Sequence, residues 1–197
     1  KLSMHESNNQ NFNHLKIHSQ YSICEGAIKI ENLKDICKEG KISSIGLSDT
    51  SNLCGALEFA ENISKVGTQP IIGTQIYFKF EDTIGLLPLI ALNEKGYKRI
   101  IELSSRSFLE NDALSDPHLD IKELLIDTEG VILLSGTTQG LFGKLFEKGH
   151  FDKIIELYNK LSLKFDDKFY IEIQRHGDQN EIALEKFNLI QSSEIKI

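Results

Sequence analysis

The sequence is poor in cysteine, short of positive charge and without a long apolar run. Of its 197 residues, 22 are lysine or arginine and 29 are aspartate or glutamate, a formal net charge of −7. A domain that binds phosphate backbones needs an excess of positive charge, so nucleic-acid binding by this segment alone is disfavoured. A larger protein that contains the segment could still bind nucleic acid. The three cysteines, Cys24, Cys37 and Cys54, form no Cys-x-x-Cys pair. Neither a disulfide framework nor a zinc knuckle follows, and a reducing cytoplasm fits best.

The termini and the apolar segments show no targeting or membrane signal. The longest apolar run, near Ile84–Leu92, is far too short to span a bilayer, so we expect no membrane contact. The N-terminus is polar and carries no recognisable signal peptide. Because Met4 is the only methionine, we interpret residues 1–11 as a tag remnant, Lys1–Ser3, followed by a polar N-terminal tail; an internal fragment is the alternative.

Strand-like and helix-like segments alternate along the chain. The strand patterns cover residues 15–18, 43–48, 70–78, 86–92, 130–134 and 169–174, and the helix patterns cover 30–38, 52–66, 95–108, 151–163 and 180–191. This alternation predicts an α/β fold with a mainly parallel sheet of about six strands. Because a full (β/α) barrel takes roughly 250 residues, the sheet is either open or a barrel cut short. The polar segment 109–120 is predicted to be a surface loop.

His14, Lys16 and His18 are the first residues that could carry chemistry. They lie two positions apart, and on a strand this spacing places them on one face. A row of imidazoles at a strand end can hold a metal ion. As a bare pattern, however, hydrogen-bonded histidines at the end of a strand are the better interpretation.

Six ordered motifs resemble those of the PHP (polymerase and histidinol phosphatase) family. They cover residues 14–27, 47–56, 70–77, 91–97, 132–136 and 170–177. In order and in sequence they are similar to the N-terminal PHP domain of the bacterial DNA polymerase III alpha-subunit family. The resemblance implies that residues 12–197 form a PHP domain, incomplete at its C-terminus, whose fold is a distorted (β/α) barrel truncated before its last strands.

The resemblance also implies where a metal site would lie and which of its ligands are replaced. In active family members, ligands from several strand ends bind a metal cluster that activates water to hydrolyse phosphoesters. Remnants of that site are expected at His18, Glu25, Asp49 and His176, and ligands are replaced at Lys16, Thr50, Gln75 and Leu86. An ammonium group has no free lone pair and repels divalent cations, so we expect Lys16 to pair with Glu25 or Asp49 instead.

The resemblance therefore implies a degenerate, non-catalytic scaffold inside a polymerase that carries out template-directed DNA synthesis. We expect no catalytic residue, metal or other cofactor in this domain, whereas the parent polymerase would use Mg²⁺. The implied partners are a proofreading exonuclease subunit and the remainder of the polymerase holoenzyme, with DNA a partner of the parent chain only. The alternative is an active metal-dependent PHP phosphoesterase or pyrophosphatase with one weak ion on His18, Glu25 and His176.

Two further features fit structural roles better than catalytic ones. The loop 135–140 follows a strand and precedes a helix, as phosphate-binding loops do, but Lys144 comes too late for a P-loop. Cys24 near His18 suggests a Cys–His nucleophile, yet small buried cysteines are common core residues. An unrelated α/β interaction module would require the six ordered motifs to be accidental.

Overall fold

The computed structural model describes residues 12–22, 25–111 and 115–194, so the predicted tail 1–11 and Cys24 lie outside the described residues. The strands in this part of the chain are β1 (His14–Ile17), β2 (Ser44–Thr50), β3 (Gln69–Phe80), β4 (Thr83–Ala91), β5 (Leu119–Asp120), β6 (Val131–Leu134) and β7 (Phe169–Tyr170). Its helices are α1 (Ile30–Gly40), α2 (Ala56–Ser64), α3 (Glu94–Leu109), α4 (Ile121–Leu124), α5 (Leu141–Glu147), α6 (Phe151–Phe165) and α7 (Gln179–Glu194), with a 3₁₀ turn at Asp166–Lys168. None of these helices combines the length and the apolarity needed to cross a membrane.

The described strands form one mixed sheet in the order β1-β2-β3-β4-β6-β7, and β5 pairs with β3. Strands β1, β2 and β3 are parallel, β4 is antiparallel to both β3 and β6, and β7 is parallel to β6. The predicted α/β class is therefore confirmed, but β4 is an exception to the parallel pattern. It returns directly from β3 as a hairpin through Glu81, whose φ of 52° reverses the chain. Apolar periodicity carries no information on strand direction, which is why this hairpin was missed.

The two faces of the sheet have different neighbours because side chains alternate along a strand. On β3, Ile76 and Phe78 are fully buried in an apolar cluster with helices α3 to α6. A second cluster packs α1 and α2 against β2, through Leu33, Phe59 and Leu47 among others. The opposite face, which we call the inner face, carries the polar Thr50 and Gln75 instead. Candidate functional residues therefore lie on the side of the sheet that these two clusters leave uncovered.

The sheet curves so that its two edge strands, β1 and β7, approach each other. Leu15 of β1 and Tyr170 of β7 line the same apolar cleft of about 470 Å³, together with Ile71, Ile132 and Leu134 of the inner face. Near this cleft, Lys16 bonds to Glu172, which follows β7. The curvature makes a half-barrel, in agreement with the distorted barrel expected from the sequence.

Three predicted segments differ from the observed ones for local reasons. The surface loop predicted at 109–120 contains β5, because Leu119 is buried against Phe78 of β3. Helix α2 begins at residue 56 rather than 52, because Ser51 has a left-handed φ of 58° and precedes the first turn. The last strand ends at Tyr170 rather than at residue 174, since the amide of Glu172 donates to Oγ of Ser135 instead of continuing the ladder.

Candidate functional site

Four of the predicted site residues come together at the carboxyl end of β1 and β2. His18 follows β1 directly, and Thr50 ends β2 opposite Gln75 of β3. Neighbouring parallel strands end at the same edge of a sheet, so residues distant in sequence meet there. Glu25, in the loop after β1, completes what we call the remnant cluster: His18, Glu25, Thr50 and Gln75.

The remnant cluster is held by contacts among its own members. Thr50 Oγ1 donates to Glu25 Oε2 at 2.5 Å. Gln75 Nε2 lies 3.4 Å from both Thr50 Oγ1 and His18 Nε2. His18 Nδ1 lies 3.8 Å from Glu25 Oε2. Side chains at positions that the resemblance assigns to metal ligands thus face each other here.

Both carboxylate oxygens of Asp49 accept hydrogen bonds from the loop that follows β1. Asp49 is buried, and its carboxylate accepts from the amide of Ser19 at 2.6 Å, from Ser19 Oγ at 2.6 Å and from Ser22 Oγ at 2.8 Å. Ser22 Oγ in turn accepts from the amide of Thr50 at 3.0 Å. Asp49 therefore fastens the segment that carries His18 and Glu25 to the end of β2. No pattern in the sequence indicates these two serine contacts.

Lys16 pairs across the half-barrel with a residue that sequence reasoning missed. Its Nζ lies 2.8 Å from Oε1 of Glu172, and the two side chains are only 22% and 20% exposed. The expected pairing with Glu25 or Asp49 is wrong, because Asp49 accepts from Ser19 and Ser22, Glu25 accepts from Thr50, and curvature of the sheet brings Glu172 within reach of Lys16. Oε2 of Glu172 is buried without a hydrogen-bond partner among the described residues.

His14 does not join Lys16 and His18, contrary to the common face predicted for the three. The pairing of β1 with β2 shifts register between His14 and Ile17, which breaks the two-residue alternation. The shift lies next to Gly46, where a Cβ atom would stand 2.5 Å from the carbonyl oxygen of Leu15. His14 instead packs edge-on against Phe12, with ring centroids 4.8 Å apart.

His176 and Leu86 are also separate from the remnant cluster. The His176 side chain is 71% exposed in the loop before α7, and its contacts are with Glu181 and Gln174. Leu86 is buried on β4, where it pairs with Tyr77 of β3 and forms a bridge with Gly140. Neither side chain forms a hydrogen bond or an ion pair with His18 or Glu25 in the described chain.

The donor set does not fit the metal cluster that active relatives use. Within the described ranges, no three His, Cys, Asp or Glu side chains lie close enough together to hold an ion. In the remnant cluster, the ring of His18 and the carboxylate of Glu25 are the remaining strong ligands, while Thr50 and Gln75 supply a hydroxyl and an amide. The loop 135–140 joins β6 to α5, a helix of 7 residues.

Comparison with known proteins identifies the family of this chain. The family model of the PHP domain matches residues 14–176. DNA polymerase III subunit alpha of Caulobacter vibrioides is 35% identical over 195 residues, which cover 92% of this chain and 17% of that protein. The subunit of the same name from Rickettsia conorii is 37% identical over 187 residues, which cover 94% of this chain and 15% of that protein. The chain therefore spans only about a sixth of the length of these relatives.

A solved structure shows the same fold at low sequence identity. It is a provisionally assigned metal-dependent phosphoesterase from Bifidobacterium adolescentis, with a TM-score of 0.56, 12% identity, and coverage of 91% of this chain and 84% of that chain. Identity this low supports the fold alone. The match of the family model over most of the chain, together with the polymerase relatives, leads to one conclusion: the chain belongs to the PHP domain family.

Proposed function

We propose that this chain is a non-catalytic PHP domain that serves as a scaffold within the alpha subunit of a bacterial DNA polymerase III. The observation that carries the proposal is the Lys16–Glu172 pair, because it holds an ammonium group at the position where the resemblance expects a histidine ligand. Asp49 supports it, since both of its carboxylate oxygens are already engaged by Ser19 and Ser22. No residue of the described chain is given a catalytic role.

The parent protein, in this proposal, is a DNA-directed DNA polymerase, a nucleotidyltransferase that uses Mg²⁺ elsewhere in its chain. The support is the name shared by relatives that match 92% to 94% of this chain. DNA is then a partner of the parent protein and not of this acidic segment. The cytoplasm is the proposed location, and Cys37 and Cys54, which are free thiols in the described structure, suit a reducing compartment.

The proposed partner is the proofreading exonuclease subunit, since a scaffold that has lost phosphoester chemistry needs a separate enzyme for proofreading. Immobilised chain is expected to retain purified exonuclease from the same organism through repeated washes. A heat-denatured sample of the chain provides the control for nonspecific capture. Failure of the folded chain to retain the exonuclease would contradict the scaffold role.

Absence of phosphoesterase activity is the second expected result. The chain, incubated with Mn²⁺ or Zn²⁺ and p-nitrophenyl phosphate or pyrophosphate, should release no product above the metal-only blank. The reason is that His18 and Glu25 alone leave a metal-bound water without the charge and positioning it needs. Turnover that disappears in His18→Ala would favour the alternative, an active PHP phosphoesterase or pyrophosphatase.

A further inference from the structure

A wide cleft opens beside the remnant cluster, with a volume of about 830 Å³. Its walls come from the loops after β1 and β2, from β3, from the end of α3 and from the segment before β5. Five of the lining side chains bear on its chemistry: Tyr21, Glu25, Tyr77, Phe108 and Asp116. We call this region the rim cleft.

All charged groups that line the rim cleft are acidic. Glu25 and Asp116 are its two carboxylates, and the described lining contains neither lysine nor arginine. Glu25 is 40% exposed, and Nδ1 of the His18 ring lies 3.8 Å from its Oε2. Asp116 forms no ion pair with any residue in the described ranges. Two carboxylates without a strong cation attract positive charge into the cleft and repel phosphate groups.

Aromatic rings stand between and beside these carboxylates. Burial and the negative charges of Glu25 and Asp116 together raise the pKa of Tyr77, so both carboxylates act on one hydroxyl although they are far apart in sequence. Phe108 is 52% exposed, at the end of α3. Lys144, which does not line the cleft, already lies 5.8 Å from the Tyr77 ring centroid and is held by the carbonyl of Ile84.

We propose that the rim cleft binds an arginine side chain presented by an exposed segment of a protein partner. A guanidinium is planar and always charged, stacks on aromatic rings, and bonds to carboxylates through two parallel N–H groups. Glu25 and Asp116 supply the carboxylates, and Tyr77 and Phe108 supply the rings. An ammonium group satisfies the charge but not the stacking. The inference deepens the proposed scaffold function. The identity of the partner rests on that function, whereas the chemistry of the cleft does not.

A peptide titration tests this chemistry without any assumption about the partner. The probe is acetyl-Gly-Arg-Gly-Arg-Gly-amide, added to the ¹⁵N-labelled chain and followed by amide chemical shifts. We expect saturable shifts in residues 20–22, 50–54, 77, 108 and 116, with a Kd of about 1 mM. The lysine version should bind more weakly, and the glutamate version should not bind.

Matched variants decide whether the rim cleft is responsible. Glu25→Gln with Asp116→Asn should weaken binding of the arginine peptide about tenfold. Asp35→Asn with Glu39→Gln removes the same charge from the exposed face of α1 and should leave the affinity unchanged. Equal weakening in both pairs, or none in the first, would overturn the proposal. So would binding of spermidine as tight as that of the arginine peptide, because the cleft would then recognise charge alone.

The same variants separate this inference from the scaffold function. If the wild-type chain and the Glu25→Gln, Asp116→Asn variant retain the exonuclease equally, the rim cleft is not the contact and the inference fails, while the scaffold stands. If the arginine peptide binds at the rim cleft but the wild-type chain does not retain the exonuclease, the chemistry of the cleft stands and the proposed partner fails. If the wild-type chain retains the exonuclease and the Glu25→Gln, Asp116→Asn variant does not, the result supports both the inference and the scaffold function.

Discussion

Replacing Asp49 by alanine is expected to lower the free energy of unfolding by about 3–5 kcal/mol. The carboxylate is 1% exposed and accepts from the amide and hydroxyl of Ser19 and from the hydroxyl of Ser22. Without the carboxylate, each of these buried donors has no acceptor, and each unsatisfied donor lowers the free energy of unfolding. Urea unfolding followed by circular dichroism measures the difference, with the urea slope checked for constancy.

A matched control for Asp49 is Asp35→Ala on the exposed side of α1. Surface substitutions of this kind change stability by about 0.5 kcal/mol or less. The loss in free energy of unfolding for Asp49→Asn should lie between those of Asp49→Ala and Asp35→Ala. The amide oxygen of asparagine still accepts from one serine, whereas the NH₂ group faces another donor. A loss below about 1 kcal/mol for Asp49→Ala would contradict the view that this residue fastens the loop after β1.

Restoring three ligands is expected to create a metal site at the strand ends. In the triple variant Lys16→His, Thr50→His, Gln75→Glu, the new side chains replace groups that already lie beside His18, Glu25 and Glu172. We expect Mn²⁺ or Zn²⁺ to bind with a Kd of about 1 μM by calorimetry. At a hundredfold excess over that Kd, the ion should stabilise the variant by about 2.7 kcal/mol.

Two controls define the outcome for the triple variant. The wild-type chain should give no heat of binding, and adding His18→Ala to the triple variant should abolish most of it, because the imidazole is the ligand retained from the remnant cluster. A folded triple variant without heat of binding would mean that the spacing of the strand ends has drifted along with the ligands.

The sequence predicted the fold class and most elements because buried strands and amphipathic helices leave a periodic record. It predicted the strand at 70–78 and the helix at 151–163 within a few residues of β3 and α6. It could not predict the β3–β4 hairpin, which depends on Glu81 adopting a left-handed φ without the usual glycine. It also missed β5, where Leu119 and Asp120 both pair with β3 but only Leu119 of the two is buried, within a segment of polar character.

The candidate site was predicted to the extent that it depends on strand ends. His18 and Thr50 meet because the parallel neighbours β1 and β2 end together, and Gln75 meets them because it pairs with Thr50 inside the longer β3. The partner of Lys16 did not follow, since Glu172 approaches only through the curvature of the whole sheet. Alternation in the segment 169–174 could have placed Glu172 on the inner face with Tyr170, but not within reach of β1.

The pair between Lys16 and Glu172 also bears on the order of folding. The two residues are 156 positions apart, at opposite edges of the half-barrel. Because a contact between residues so far apart in sequence closes a very long loop, we expect it to form late in folding. An interaction absent from the transition state slows the loss of the native structure without hastening its formation. The pair between Lys16 and Glu172 is therefore expected to lengthen the lifetime of the folded domain.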